Sequence, residues 1–112
     1  GELMVIDYKA SGAQKGELYD SYKRQMEIYQ WLLRRNGFTV KNRGYFVYAR
    51  VDKEKGFAGG DLHFAIDVQP YDGNDSWVEE RIMEAKECLS EPMPMAGLEC
   101  GYCKYRDRVE DI

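Results

Sequence analysis

The sequence predicts an α/β domain, bordering on α+β, built on a small mixed sheet flanked by helices. Three observations carry that reading. An apolar run, "LMVIDYK", ends in an acid and a lysine; a long amphipathic helical pattern follows it; two aromatic and β-branched runs come next, separated by a glycine-rich turn. With 112 residues there is room for one small domain and a single core.

Taken in order, Leu3 to Lys9 reads as a strand, and adjacent Val5 and Ile6 predict burial on both of its faces. The small residues of "ASGAQKGE" read as a loop. "LYDSYKRQMEIYQWLLRRNG" reads as a helix: Tyr22, Met26, Tyr29 and Leu33 recur at helical spacing, Arg34 and Arg35 favour its C-terminal end, and Gly37 supplies the stop. Gly44 to Val51 is a second strand, and "DKEKGFAGGD" a turn or loop with three glycines. In "LHFAIDV", Leu62, Phe64, Ile66 and Val68 alternate with His63, Ala65 and Asp67, which predicts a half-buried strand forming a hairpin with its predecessor. "PYDGNDS" reads as a turn, with Asp75 or Ser76 capping a helix from about Trp77 to Leu89 that contains Cys88 as a packed thiol. "SEPMPMAGLE" holds two of the three prolines and reads as an irregular crossing into the short polar tail "CGYCKYRDRVEDI".

Composition narrows the function classes. A net charge of -4 argues against a protein that grips nucleic acid by bulk charge, although local basic patches remain compatible with phosphate chemistry. The basic groups Lys23/Arg24, Arg34/Arg35 and Lys104/Arg106/Arg108 read as solvated charge unless they share a face, in which case they could follow a nucleic-acid backbone. Tyr45, Tyr48, Tyr102 and Tyr105 could stack on bases, with core packing the rival reading for the first two. No apolar run approaches the ~20 residues of a membrane helix, and no signal peptide is visible. Three cysteines suggest reduced thiols or metal ligands, so the expected location is cytoplasmic. His63, the single histidine, falls off the apolar face of its strand and reads as a surface residue.

The chemistry-bearing residues come in two local pairs. Asp7 and Lys9 are two apart on a strand and point the same way, with Tyr8 opposite. Gln25 and Tyr29 are four apart and share one helix face. Taken alone, the first pair could be an ordinary surface ion pair, and Tyr29 could be core with Gln25 a solvated neighbour.

Together, "VIDYKAS" and "RQMEIYQWLL" resemble the RecB-like exonuclease branch of the PD-(D/E)XK nuclease superfamily, in which an acid-x-lysine strand end is followed by Gln-x-x-x-Tyr on the next helix. The resemblance implies a restriction-endonuclease-like core and metal-dependent hydrolysis of DNA phosphodiesters, at single strands or ends, in repair, recombination or defence. It implies that Asp7 and the backbone carbonyl of Tyr8 hold Mg²⁺ or Mn²⁺, that Lys9 positions water and offsets phosphate charge, and that Gln25 and Tyr29 orient the lysine or hold the strand.

It also implies a further acid on a strand that would precede Gly1. On that ground residues 1–112 are expected to be the C-terminal portion of one nuclease domain, incomplete at its N-terminus and inactive in isolation, with 91–112 as an irregular cysteine-bearing tail. A catalytically inactive module that binds DNA or a partner protein is the alternative. Other domains of a longer protein, or a second copy at an open sheet edge, are the expected protein partners. In this branch some members carry an iron–sulfur cluster, for which Cys100 and Cys103 would be the candidate ligands. Four ligands are needed and at most three cysteines are present, so no cluster is expected.

Overall fold

The computed structural model describes residues 1–12 and 18–110. The loop expected over 10–17 therefore falls mostly outside the described residues, as do the tail's last two positions. In chain order the elements are β1 (Ile6–Ser11), α1 (Asp20–Arg35), β2 (Arg43–Val51), β3 (Phe57–Ala58), β4 (Asp61–Leu62), β5 (Phe64–Asp72), α2 (Val78–Cys88) and α3 (Gly101–Glu110). The chain divides into two units, Gly1–Glu79 and Glu80–Ile112.

The first unit holds a three-stranded mixed sheet in the order β1-β2-β5. β1 runs parallel to β2, which demands a crossover, and α1 provides it; β2 and β5 pair antiparallel, as the hairpin reading predicts. This is the predicted α/β fold class. The register sets Asp7 beside Phe46 and Lys9 beside Tyr48, so β1 and β2 present these four side chains on one face. α1 lies over that face, where Met26, Phe46 and Tyr48 form the core with Val5, Leu18, Tyr22 and Tyr71 around them. Gly44 lets the helix approach this closely: a Cβ there would sit 2.6 Å from Sδ of Met26 and 3.0 Å from the carbonyl oxygen of Val5.

Two expectations about burial are corrected. β1 is not covered on both faces, because α1 crosses only the Asp7 side and leaves Ile6 and Tyr8 exposed, Tyr8 at 76%. Along β5 the predicted alternation is present, but Phe64, Ile66 and Val68 are the exposed set, and Asp67, Gln69 and Tyr71 lie on the more protected side. β5 also runs on through Pro70 to Asp72, where a turn was the expectation. As an edge strand, it tolerates the loss of the N–H donor that proline lacks.

Gly37 ends α1 as expected. With φ at 86°, it lets its own N–H reach the carbonyl of Arg34 and that of Phe38 reach Leu33, a Schellman pattern. The glycine-rich turn contains a miniature ribbon: β3 pairs with β4 across Gly59 and Gly60, both with positive φ, as a tight hairpin turn requires.

In the second unit, the tail expected to be irregular over 91–112 forms a helix from Gly101 to Glu110, and among its described residues the irregular part is the stretch up to Cys100. Beyond Pro94 no proline interrupts the chain, the Lys104 N–H reaches the carbonyl of Cys100, and Arg106 pairs with Glu110 one turn on. Cys88, the last residue of α2, is exposed and not a packed thiol. Tyr102 and Tyr105 are exposed as well, whereas Tyr48 belongs to the core.

Candidate active site

β1 and α1 bring both local pairs into one chain of polar contacts. Lys9 Nζ lies 2.9 Å from Oδ2 of Asp7 and donates to Oε1 of Gln25 at 2.5 Å. Gln25 Nε2 in turn donates to the hydroxyl of Tyr29 at 2.7 Å. The amide's orientation follows from the chemistry: an ammonium only donates, so the carbonyl end of Gln25 must face it. The ring of Tyr22 completes the lysine's surroundings, its centroid 4.3 Å from Nζ. Both charged side chains are mostly shielded, Asp7 at 14% exposure and Lys9 at 16%. Attraction between them is therefore stronger than at an open surface, and each holds the other in place.

The Asp7–Lys9 contact is an ion pair without hydrogen-bond alignment. Oδ2 of Asp7 is consequently a buried carboxylate oxygen with no hydrogen-bond donor among the described residues. An acceptor left in that condition suits a cation, which binds the lone pairs that no N–H or O–H has claimed. It is the sole carboxylate of the chain Asp7–Lys9–Gln25–Tyr29, and no group of three or more His, Cys, Asp and Glu side chains converges anywhere among the described residues. Magnesium-type ions often bind through one or two carboxylates, with waters and substrate phosphates filling the remaining positions, so the donor set fits such an ion at one corner.

α1 is held in place by two polar clamps that the helical pattern did not suggest. Glu27 is 7% exposed, and its carboxylate accepts from the Tyr71 hydroxyl at 2.7 Å, the Asn74 N–H at 3.0 Å and the Trp77 indole N–H at 2.6 Å. Burial and the Glu27 carboxylate together push the Tyr71 phenol up to about 12. Fully buried Gln30 donates to the carbonyl of Asn42 at 2.7 Å. Arg34 then joins Asp75, the Val40 carbonyl and the Asn42 side chain, all within 2.8 Å. Asp75, expected as a helix cap, thus pairs its carboxylate with Arg34 and uses its carbonyl for the Val78 N–H. The buried side of α1 is accordingly Met26, Glu27 and Gln30, one step round from the predicted stripe, and Tyr29 is left 39% exposed beside Gln25.

A family model described as the PD-(D/E)XK nuclease superfamily matches residues 1–108. The chain belongs to the PD-(D/E)XK nuclease superfamily. No curated protein and no solved structure matches it. Members of the superfamily are nucleases that act on DNA and generally use divalent metal ions. None of the helices among the described residues is long and apolar enough to cross a membrane.

The cysteine pair at the start of α3 lies in the second unit. The Cys103 N–H points at Sγ of Cys100 across 3.5 Å. Hydrogen bonds from the Cys103 backbone and thiol lower the Cys100 thiol below its usual range, and the same contact raises Cys103. The basic residues predicted as possible backbone contacts are largely engaged within the protein: Lys23 with Asp20, Arg35 with Glu79, Lys104 with Glu99 and Arg106 with Asp107. Arg24 is exposed and makes no salt bridge among the described residues.

Proposed function

We propose that this chain carries the strand–helix half of a RecB-like exonuclease site that hydrolyses DNA phosphodiesters with Mg²⁺ or Mn²⁺. One observation carries the reading: a shielded lysine fixed between the strand carboxylate and a glutamine that is itself held by a tyrosine, Lys9–Asp7 at 2.9 Å and Lys9–Gln25 at 2.5 Å. In this reading Asp7 and the Tyr8 carbonyl hold the divalent ion. When bound, the ion polarises the phosphate and lowers the pKa of an attacking water. Lys9 neutralises charge that builds on the phosphate oxygens and orients the water, while Gln25 and Tyr29 fix the ammonium so that it need not reorganise during reaction. The site would act on single strands or ends in repair, recombination or defence, in the cytoplasm. Its proposed protein partners are other domains of a longer protein, or a second copy at the β1 edge of the described sheet.

A second reading is a catalytically inactive module of the same fold that binds DNA or a partner protein. In its favour is the single carboxylate in a region where hard cations prefer several oxygens. Substituting Lys9→Ala in the intact protein separates the two. The nuclease reading expects cleavage to fall by about 10²- to 10³-fold with DNA binding retained, the usual scale for removing one stabiliser of developing charge. A wild-type protein that binds DNA but cleaves none with Mg²⁺ or Mn²⁺ would favour the inactive module. Soaking crystals in Mn²⁺ and locating it by anomalous scattering tests Asp7 separately.

A further inference from the structure

Beside the lysine there is a groove of about 580 Å³ that shares Tyr22, Gln25 and Tyr29 with the hydrolytic site and extends past them to Arg24, Ile28 and Trp77. Its walls are mostly rings and hydrocarbon, from Tyr22, Ile28, Tyr29 and Trp77, and Gln25 forms the boundary it shares with the Asp7–Lys9 site. Arg24 stands on the same lining, exposed and without a salt bridge among the described residues. The volume lies in the range of small-molecule sites.

Three features select the occupant. Aromatic walls offer π-faces, which favour a flat, polarisable ring. The Arg24 guanidinium, without a salt bridge among the described residues, favours a ligand with an anion attached to that ring, and guanidinium is suited to phosphate oxygens. Continuity through Gln25 means that whatever sits in the groove extends to the lysine one side chain away. A nucleotide within a strand meets all three conditions. Within a duplex its base is paired and stacked, and cannot enter a groove in a protein wall.

The indole is positioned to serve as one wall. Its N–H is held by Oε2 of Glu27 at 2.6 Å, which fixes the plane of the ring before any ligand arrives and lowers the entropic cost of stacking on it. From these observations we infer that the Tyr29–Trp77 groove seats an unpaired base of a single strand whose phosphate is presented to Asp7 and Lys9, with Arg24 on a neighbouring phosphate. This rests on the nuclease reading and adds a basis for single-strand selection. Recognition is by stacking and charge, so it is indifferent to sequence.

Trp77→Ala would remove the Glu27 partner and could unfold the helix clamp, so Trp77 is better used as the reporter. In a Trp31→Phe protein it is the only indole, since the chain has two tryptophans. The probe is a dye-labelled oligothymidylate of about a dozen nucleotides in EDTA, followed by anisotropy for binding and by Trp77 emission for entry into the groove. Expected are saturable quenching of Trp77 by the single strand, none by a duplex of equal length, and tenfold or greater weakening of binding in Arg24→Glu. Binding by anisotropy with Trp77 emission unchanged would overturn the groove and leave the nuclease site standing. Equal quenching by duplex would overturn the single-strand selection. If neither oligonucleotide binds and Mn²⁺ does not reach Asp7, the nuclease reading itself fails and the groove proposal falls with it.

Discussion

Glu27→Gln tests whether the carboxylate clamp, more than the apolar stripe, holds α1 over the site. The substitution preserves shape and so creates no cavity. It removes the charge, and one of the two oxygens becomes a donor. Oε2 serves Trp77 alone, whereas Oε1 serves both Tyr71 and Asn74, so the least damaging arrangement turns the new amide nitrogen toward the indole. Two N–H groups would then face each other, and the Trp77 bond is lost with its donor buried. A hydrogen bond to a charged group contributes about 1.5–3 kcal/mol and a neutral one about 0.5–1.5. Losing one bond and downgrading two therefore costs about 3.5–6 kcal/mol, a large share of the 5–15 kcal/mol typical of a whole domain. Urea denaturation followed by circular dichroism should show that loss as a shifted midpoint with the slope unchanged. A loss below about 1 kcal/mol would refute the reasoning and assign the helix's position to Met26 and its apolar neighbours.

Other outcomes follow from individual contacts. The Tyr71 phenol is neutral in the fold with its proton held up to about 12, against 10.0 for the free group, so the unfolded chain gives up that proton first as pH rises. Stability should be fully present below pH 10 and fall as pH rises from about 10 toward 12, and Tyr71→Phe should flatten that fall in urea titrations. Gly44→Ala should destabilise by about 1–3 kcal/mol in thermal unfolding, because its methyl group meets Met26 and the Val5 carbonyl. At mildly alkaline pH, iodoacetamide should modify Cys100 ahead of Cys103, read by peptide mapping, since the thiolate is the reactive form and the contact between the two lowers only Cys100.

What was legible in the sequence was local. Asp7 and Lys9 share a strand face because side chains alternate, and Gln25 and Tyr29 share a helix face because four residues make about one turn. Gly37 as the helix stop was legible for the same reason, a backbone need met by one residue type. The burial direction of β5 was not. Alternation predicts two faces but not which one the helix covers, and here α1 lies on the side of Asp67, Gln69 and Tyr71. Pattern reading assigns the apolar side to the core, and it has no access to a carboxylate such as Glu27 that turns polar partners into a buried cluster.

The distance between the two local pairs depends on contacts that no spacing rule contains. For Lys9 to reach Gln25, β1 must align with β2 so that Lys9 stands beside Tyr48, and α1 must settle on Phe46 through Met26. That settling needs the missing side chain at Gly44, nineteen positions after Gln25 in the chain, and the polar clamps of Glu27 and Arg34 on residues up to fifty positions away. The lysine, once there, is held by partners of three kinds: a carboxylate, an amide oxygen and an aromatic face. An exposed ion pair needs none of this, since it gains about 0–1 kcal/mol and leaves its ammonium free to sample rotamers. Fixing an ammonium at 16% exposure limits its motion and desolvates it in part, and both are unfavourable to stability unless the group is wanted in one place. That expense in one residue is the physical argument for a phosphate-facing role at Lys9, and it is independent of the family match.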